Sequence, residues 1–375
     1  MKSSLTGSLA VVALASQAFA GGETNSEWLG LDQELHALSS NISLQDNEGP
    51  EFGVLLRSSL VSSDDFTTGT EDTLGFALND ARLWGQGTLG DFTWRMSANA
   101  ITRTSVLESL NSGSFSGTPT DLDLGLEDAY ASLALNENLD LTMGRFIPPS
   151  FQSGTWGNQD GLLFVNRTNL GAFGYQWQEG VSLAGNYDDG LSWVIAAMNG
   201  LDGTADELDL RGRIEYATGE QVGNHEGGLG YGDDLSAVIG VTYADEGAAD
   251  DGTWFGLDVT ARVAGFSFHA EVADFDDDWA GALGTFFGGL SYTDGGPSPY
   301  SATVGYCIPD TDFELAVRYE DLDDDAETTL LTFGANMYME GHNGKWQLNF
   351  LDVSSDDAGV EGSAILLGLT VGSDS

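Results

Sequence analysis

The sequence predicts an all-β chain: a 16-stranded antiparallel transmembrane β-barrel preceded by a short N-terminal periplasmic helix. Three observations carry the prediction. From Thr329 to Val353 the chain alternates, with Leu331, Phe333, Ala335, Met337 and Met339 on one side and Thr332, Gly334, Asn336, Tyr338 and Glu340 on the other. That is the period of a strand with one apolar and one polar face. Alternation of this kind recurs from Glu51 to the end, and the connectors between stretches are alternately short and long. A membrane barrel has both properties, because lipid lies outside, water inside, and the turns at one rim are shorter than the loops at the other.

Residues 1–20 read as a secretory signal, with Lys2 at its start, an apolar run from Leu9 to Ala15, and the cleavage pattern Ala18-Phe19-Ala20. The run is too short to span a bilayer as a helix. Residues 21–50 form an extension in which Trp28, Leu31, Leu35, Leu38 and Ile42 recur at spacings of three and four, and Thr24-x-x-Glu27 caps the start. So short a helix is marginal alone. The pattern therefore implies either zipping to other copies through Trp28, Leu31, Leu35 and Leu38 or packing under the barrel.

The barrel proper is assigned to 51–375. Strands are predicted near 51–61, 75–88, 91–103, 125–135, 138–146, 179–187, 191–199, 207–217, 236–245, 253–264, 266–275, 300–308, 312–321, 329–339, 345–353 and 362–371. Short turns fall at 89–91, 136–138, 188–190, 264–265, 309–311 and 342–344, where Asn343-Gly344 is the signal for a two-residue hairpin. The connector at 218–234 is long and Gly-rich where a short turn is expected, and the run at 283–292 is placed in an outer loop. Residues 147–179 form the longest connector and carry Pro148, Pro149, Trp156, Phe164, Phe173 and Trp177. Loops this long are usually functional, and this one is expected to fold inward and narrow the channel that a barrel of this size leaves open.

Composition narrows the partners. A formal charge of −47, or −48 once Lys2 is removed, excludes nucleic acid, whose phosphates need a basic face. The single cysteine, Cys307, permits no internal disulfide. Eight arginines, Arg57, Arg82, Arg95, Arg103, Arg211, Arg213, Arg262 and Arg318, occupy the polar face of their strands. On the lipid face each would cost about 2–4 kcal/mol near the midplane, so inward placement is required whatever their role. Two readings stay open for them: structural pairing with carboxylates such as Asp80, Asp209, Glu215, Asp258, Glu271, Glu314 and Glu320, or a selectivity ring.

The run GANMYMEGHNGKWQLNF, Gly334 to Phe350, resembles the penultimate hairpin of the phosphate-selective porin O and P family, with its pattern G-x-N-x-Y-x-x-G-H-x-x-K. Leu126 to Pro149 and Tyr306 to Asp323 resemble two further segments of that family. The resemblance implies an outer-membrane porin in the bacterial outer membrane, a homotrimer with a periplasmic extension, and Arg145 as a pore-lining cation. At Ile147 the chain departs from the family, which often has a lysine after the phenylalanine.

No cofactor and no enzymatic activity are expected. His36, His225, His269 and His342 lie in different elements, no nucleophile or metalloprotease motif is present, and Glu127 and Asp128, as neighbours on a strand, point to opposite faces. The acidic loops, with Asp64, Asp65, Asp250, Asp251, Asp276 to Asp278, Asp323 to Asp325, Asp356 and Asp357, lack the spacing of a defined calcium site, so no metal ligands are assigned and only non-specific divalent cation binding is expected there. The functional expectation is passive diffusion of small hydrophilic solutes and ions, cation-preferring or weakly selective because the acidic mouth repels anions. The alternatives are a phosphate or oxyanion channel and, further off, a soluble acidic secreted β-solenoid or calcium-binding protein.

Overall fold

A computed structural model of the chain describes residues 49–64, 73–100, 124–155, 159–187, 189–200, 208–219, 225–246, 252–293, 295–357 and 360–373. The signal, the heptad residues Trp28, Leu31, Leu35 and Leu38, and Arg103 lie outside the described residues.

The strands are β1 (Glu51–Asp64), β2 (Thr73–Leu89), β3 (Phe92–Asn99), β4 (Gly125–Asn136), β5 (Leu139–Phe146), β6 (Gln178–Asn186), β7 (Leu191–Met198), β8 (Asp209–Thr218), β9 (Ser236–Glu246), β10 (Gly252–Val263), β11 (Phe266–Phe275), β12 (Tyr300–Cys307), β13 (Phe313–Asp321), β14 (Thr329–Tyr338), β15 (Gly344–Ser354) and β16 (Gly362–Gly372). Their connectors carry the short helices α1 (Gln152–Thr155), α2 (Asn169–Gly174) and α3 (Ala280–Phe286). Each strand pairs antiparallel with its sequence neighbours, and β1 pairs with β16 from Leu55↔Gly372 to Asp64↔Ser363, closing the barrel. The predicted strands are thus borne out in number, order and pairing, and the solenoid alternative is overturned. Closure leaves no unpaired strand edge, the condition for sheet in a bilayer.

The surface is inside out relative to a soluble protein. Phe76, Met143, Ile214 and Phe255 are among many large apolar side chains exposed on the outer face, while arginines, carboxylates and amides are buried on the inner one. This distribution belongs to a barrel of the bacterial outer membrane.

Two local details differ from expectation. Asn343-Gly344 is not the hairpin turn: the chain turns over 339–343, with Gly341 at φ +58° and the Met339 and Glu340 amides both donating to the Gly344 carbonyl. The two-residue turn with both central residues at positive φ is Ala264-Gly265. Glu127 and Asp128 both point inward, because the β3–β4 register shifts between Met96 and Ala98 and the bulge turns both carboxylates to the lumen.

Residues 283–292 form no strand, since α3 covers their start. Loop carboxylates here satisfy backbone: Asp276 accepts from the Thr253 amide and hydroxyl, Asp325 from the Thr293 amide and Ser291 hydroxyl, and Asp323 from the Ser298 amide.

Candidate functional site

The segment between β5 and β6, which carries α1 and α2, descends into the lumen. Inside an outward-greasy wall its apolar residues have one place to go, and Phe151, Leu162, Leu163, Phe164, Val165, Leu170 and Phe173 are all buried. Phe151 stacks on Trp254 at 5.1 Å, and Phe173 meets Trp254, Phe275 and Trp279 edge-on at 5.2–5.9 Å. The wall makes room with glycine: a Cβ at Gly256 would come within 2.5 Å of Phe151, and one at Gly334 within 2.8 Å of Phe164.

Polar contacts fix the segment to strands around much of the barrel. Arg57 donates to the Val165 carbonyl at 2.6 Å, Arg318 to the Asn166 carbonyl at 2.9 Å, and Lys345 to the Leu162 carbonyl at 2.5 Å. Glu320 accepts from the Asn169 amide at 2.6 Å, and Asn349 from the Val165 amide at 2.7 Å. Glu271 is the hub: it accepts from Ser153, from Thr168 at 2.6 Å and from Ser301 at 2.9 Å, with His269 Nε2 at 3.2 Å. Thr168 also caps α2, accepting from the Gly171 amide at 2.9 Å.

The long connector between β8 and β9 explains its own length by rising from the opposite rim to meet this segment. The Glu226 amide donates to the Gly161 carbonyl at 3.0 Å, and its carboxylate accepts from the Leu163 amide at 2.8 Å. Arg262 donates to the carbonyls of Gly227 and His225 and lies 4.4 Å from the Tyr231 ring, while Glu314 takes the Gly228 amide at 2.8 Å and the Tyr338 hydroxyl at 2.5 Å.

The histidines lie in different elements of the sequence, but the fold stacks His225 on His342 with ring centroids 4.0 Å apart. Burial, with the nearby Lys345 and Arg262 cations, pulls the His225 pKa from 6.5 down to about 4 and lowers that of His342 as well. A base with a depressed folded pKa keeps its full contribution above the unfolded value and loses it as protonation is forced. The seat of residues 225–231 should therefore weaken as pH falls from 6.5 toward 4. Hydrogen exchange of these amides at pH 7 and pH 4.5 checks this: faster opening at the lower pH is expected, after correction for intrinsic exchange.

Among the described arginines, Arg57, Arg82, Arg95, Arg211, Arg213, Arg262 and Arg318 point into the lumen. Six of the seven meet carboxylates: Arg57–Asp80 at 2.9 Å, Arg82–Glu127 at 2.7 Å, Arg95–Asp128 at 3.1 Å, Arg211–Asp209 at 2.6 Å, Arg213 with Asp258 and Glu215 both at 2.6 Å, and Arg318–Glu320 at 3.0 Å. Arg145 does not join them. It pairs across from Ala129 and Glu179, on the parity of the exposed Met143, so it lies on the outer face near the end of β5 and ion-pairs Glu179 at 2.5 Å. Its position next to the strand end lets the guanidinium sit at the membrane boundary.

The lumen is filled unevenly. From β9 round through β16 to β1, the inward side chains are buried almost throughout, beneath the descending segment. On β3 to β8 the half nearest the short turns is open: Thr93, Ser132, Thr142, Ala184, Val194 and Glu215 are half-buried or exposed although they face inward. The sequence carried no sign of this asymmetry.

The sequence matches no family model and no curated protein. Among solved structures it is similar to OprB of Pseudomonas putida, with a TM-score of 0.57 at 11% identity over 92% of this chain and 96% of that one. It is also similar to OmpT, an outer membrane protein of Vibrio cholerae, with a TM-score of 0.54 at 11% identity over 88% and 99% of the two chains. At these identities the likeness is one of fold: an outer-membrane barrel of this size, without support for the phosphate-selective O and P family in particular.

Proposed function

We propose that the chain is a porin passing small hydrophilic solutes and ions by passive diffusion, cation-preferring or weakly selective, along the sector enclosed by β3 to β8. The observation that supports this most directly is the pairing of lumenal arginines with carboxylates, which cancels the field an anion filter would need. The remaining buried charges include both signs: Arg167, Arg262 and Lys345 are held by carbonyls, whereas Glu226, Glu271 and Glu314 are held by hydroxyl and amide donors, with Asp160 buried nearby. A formal charge of −47 then tips the approach toward cations. Outward placement of Arg145 removes the one cation that the resemblance to phosphate channels contributed. Reversal potentials across a planar bilayer in a KCl gradient test the reading. A potential of cationic sign or near zero, unaffected by added phosphate, is expected; a chloride-selective current blocked by micromolar phosphate would overturn it in favour of an oxyanion channel.

A further inference from the structure

The free sector does not stay open along its length. In its half nearest the short turns, inward residues are hydroxyls and small side chains with solvent access, and Ser132 and Thr142 share a hydrogen bond at 2.7 Å. Ala196 shares the pairing row of Ser132 and Thr142 through Ser182, Tyr130 and Met198 face inward one row further along, and Phe146 lies one row beyond them; these four pack as a separate apolar cluster. Phe146, Ala196 and Met198 are buried, Met198 completely. Tyr130 meets Phe146 edge-on with centroids 6.2 Å apart.

Two glycines lie between Tyr130 and Met198 in their row. Gly144 is paired with Tyr130 and Gly180 with Met198. A Cβ at Gly180 would come within 2.5 Å of the Met198 sulfur, so that side chain lies flat across its neighbour strand. On the far side Pro148, Pro149 and Ser150 are buried at the start of the descending segment. The flank at β2 to β4 is closed by the Arg82–Glu127 and Arg95–Asp128 pairs, with the Trp177 indole donating to Asp128 at 2.9 Å.

From this layering we infer that Phe146, Ala196 and Met198 form an apolar lid that gates the free sector and sets its conductance. The inference rests on the porin reading. An apolar constriction wets poorly and excludes hydrated ions until it is displaced. The charged flank is pinned by ion pairs and the Trp177 indole, whereas the lid is held by dispersion contacts alone, and an unbranched methionine is the most readily rearranged of its members. The lid discriminates by hydration rather than by sign, so it lowers the flux of all ions while the charges elsewhere decide which sign passes.

The test is single-channel recording of the full chain in planar bilayers, with Phe146→Ala, Met198→Ala, the double variant F146A/M198A and the conservative Met198→Leu. Heat-modifiable gel migration certifies that each barrel is folded. The double variant is expected to conduct roughly twofold or more above the natural chain, with an unchanged reversal potential, because a wider, wettable constriction removes a barrier common to both ions; Met198→Leu should stay near the natural value. As a second measurement, Met198→Cys in a Cys307→Ser background should change its current on reaction with a polar methanethiosulfonate reagent. A natural chain that conducts, with folded variants that conduct equally and a Met198→Cys current blind to the reagent, overturns the lid and leaves the porin reading standing. A natural chain and variants that all fail to conduct overturn both.

Discussion

Replacing residues 150–175 with a short glycine-serine link is expected to raise the single-channel conductance severalfold, on the order of fivefold for a barrel of this width once its lumen is emptied. The inner faces of β9 to β16 and of β1 are buried largely by this segment, together with residues 225–231 and the connector that carries α3. Its removal also frees the Glu226 carboxylate, which the Leu163 amide holds from the other rim. The wall itself has little to lose. Its interstrand ladder runs unbroken around the barrel, and Glu271, Glu320 and Arg57 exchange loop partners for water. Bilayer recording of the shortened chain, refolded and shown to be heat-modifiable, checks this, and an unchanged conductance would mean that the segment does not obstruct the path.

Arg213→Met is expected to be the most destabilising single change in the wall. Arg213 holds Asp258 through two hydrogen bonds of 2.6 and 2.9 Å and Glu215 through two more, and both the guanidinium and the Asp258 carboxylate are almost inaccessible. Leaving a buried carboxylate without its counter-charge costs about 3–5 kcal/mol, whereas replacing both partners by apolar groups of similar volume is often close to neutral. Urea unfolding in lipid vesicles should therefore show a large loss for R213M and recovery of most of it in R213M/D258L. A small loss for the single variant would mean that water already reaches Asp258 and compensates its charge.

Arg213 also marks where sequence and fold divide. Its direction was legible, because Arg211 and Arg213 alternate with Leu210 and Ile214, and on a strand in lipid that alternation has one physically acceptable solution. The same logic yielded the strands, their antiparallel order and the closed barrel. Each follows from short-range patterns: period two, turn residues, and connector lengths that alternate between rims. Inward folding of the segment after β5 was legible too, since so many apolar residues in an otherwise acidic set of loops need somewhere dry.

Tertiary structure decided the rest. The resemblance points Arg145 inward, yet the register with Ala129 and Glu179 turns it outward. As neighbours on a strand Glu127 and Asp128 should face apart, yet a bulge, which depends on the partner strand's register, turns both inward. His225 and His342 are far apart in sequence and meet because a connector rises from one rim to reach a loop descending from the other. The lid has the same origin, since Phe146, Ala196 and Met198 come from separate strands or strand positions and read individually as ordinary apolar residues. Parity is a property of one strand and is written in its own residues. Register, bulges and the filling of a lumen are set by contacts between segments many residues apart, whose energies are fixed only once the barrel has closed around them.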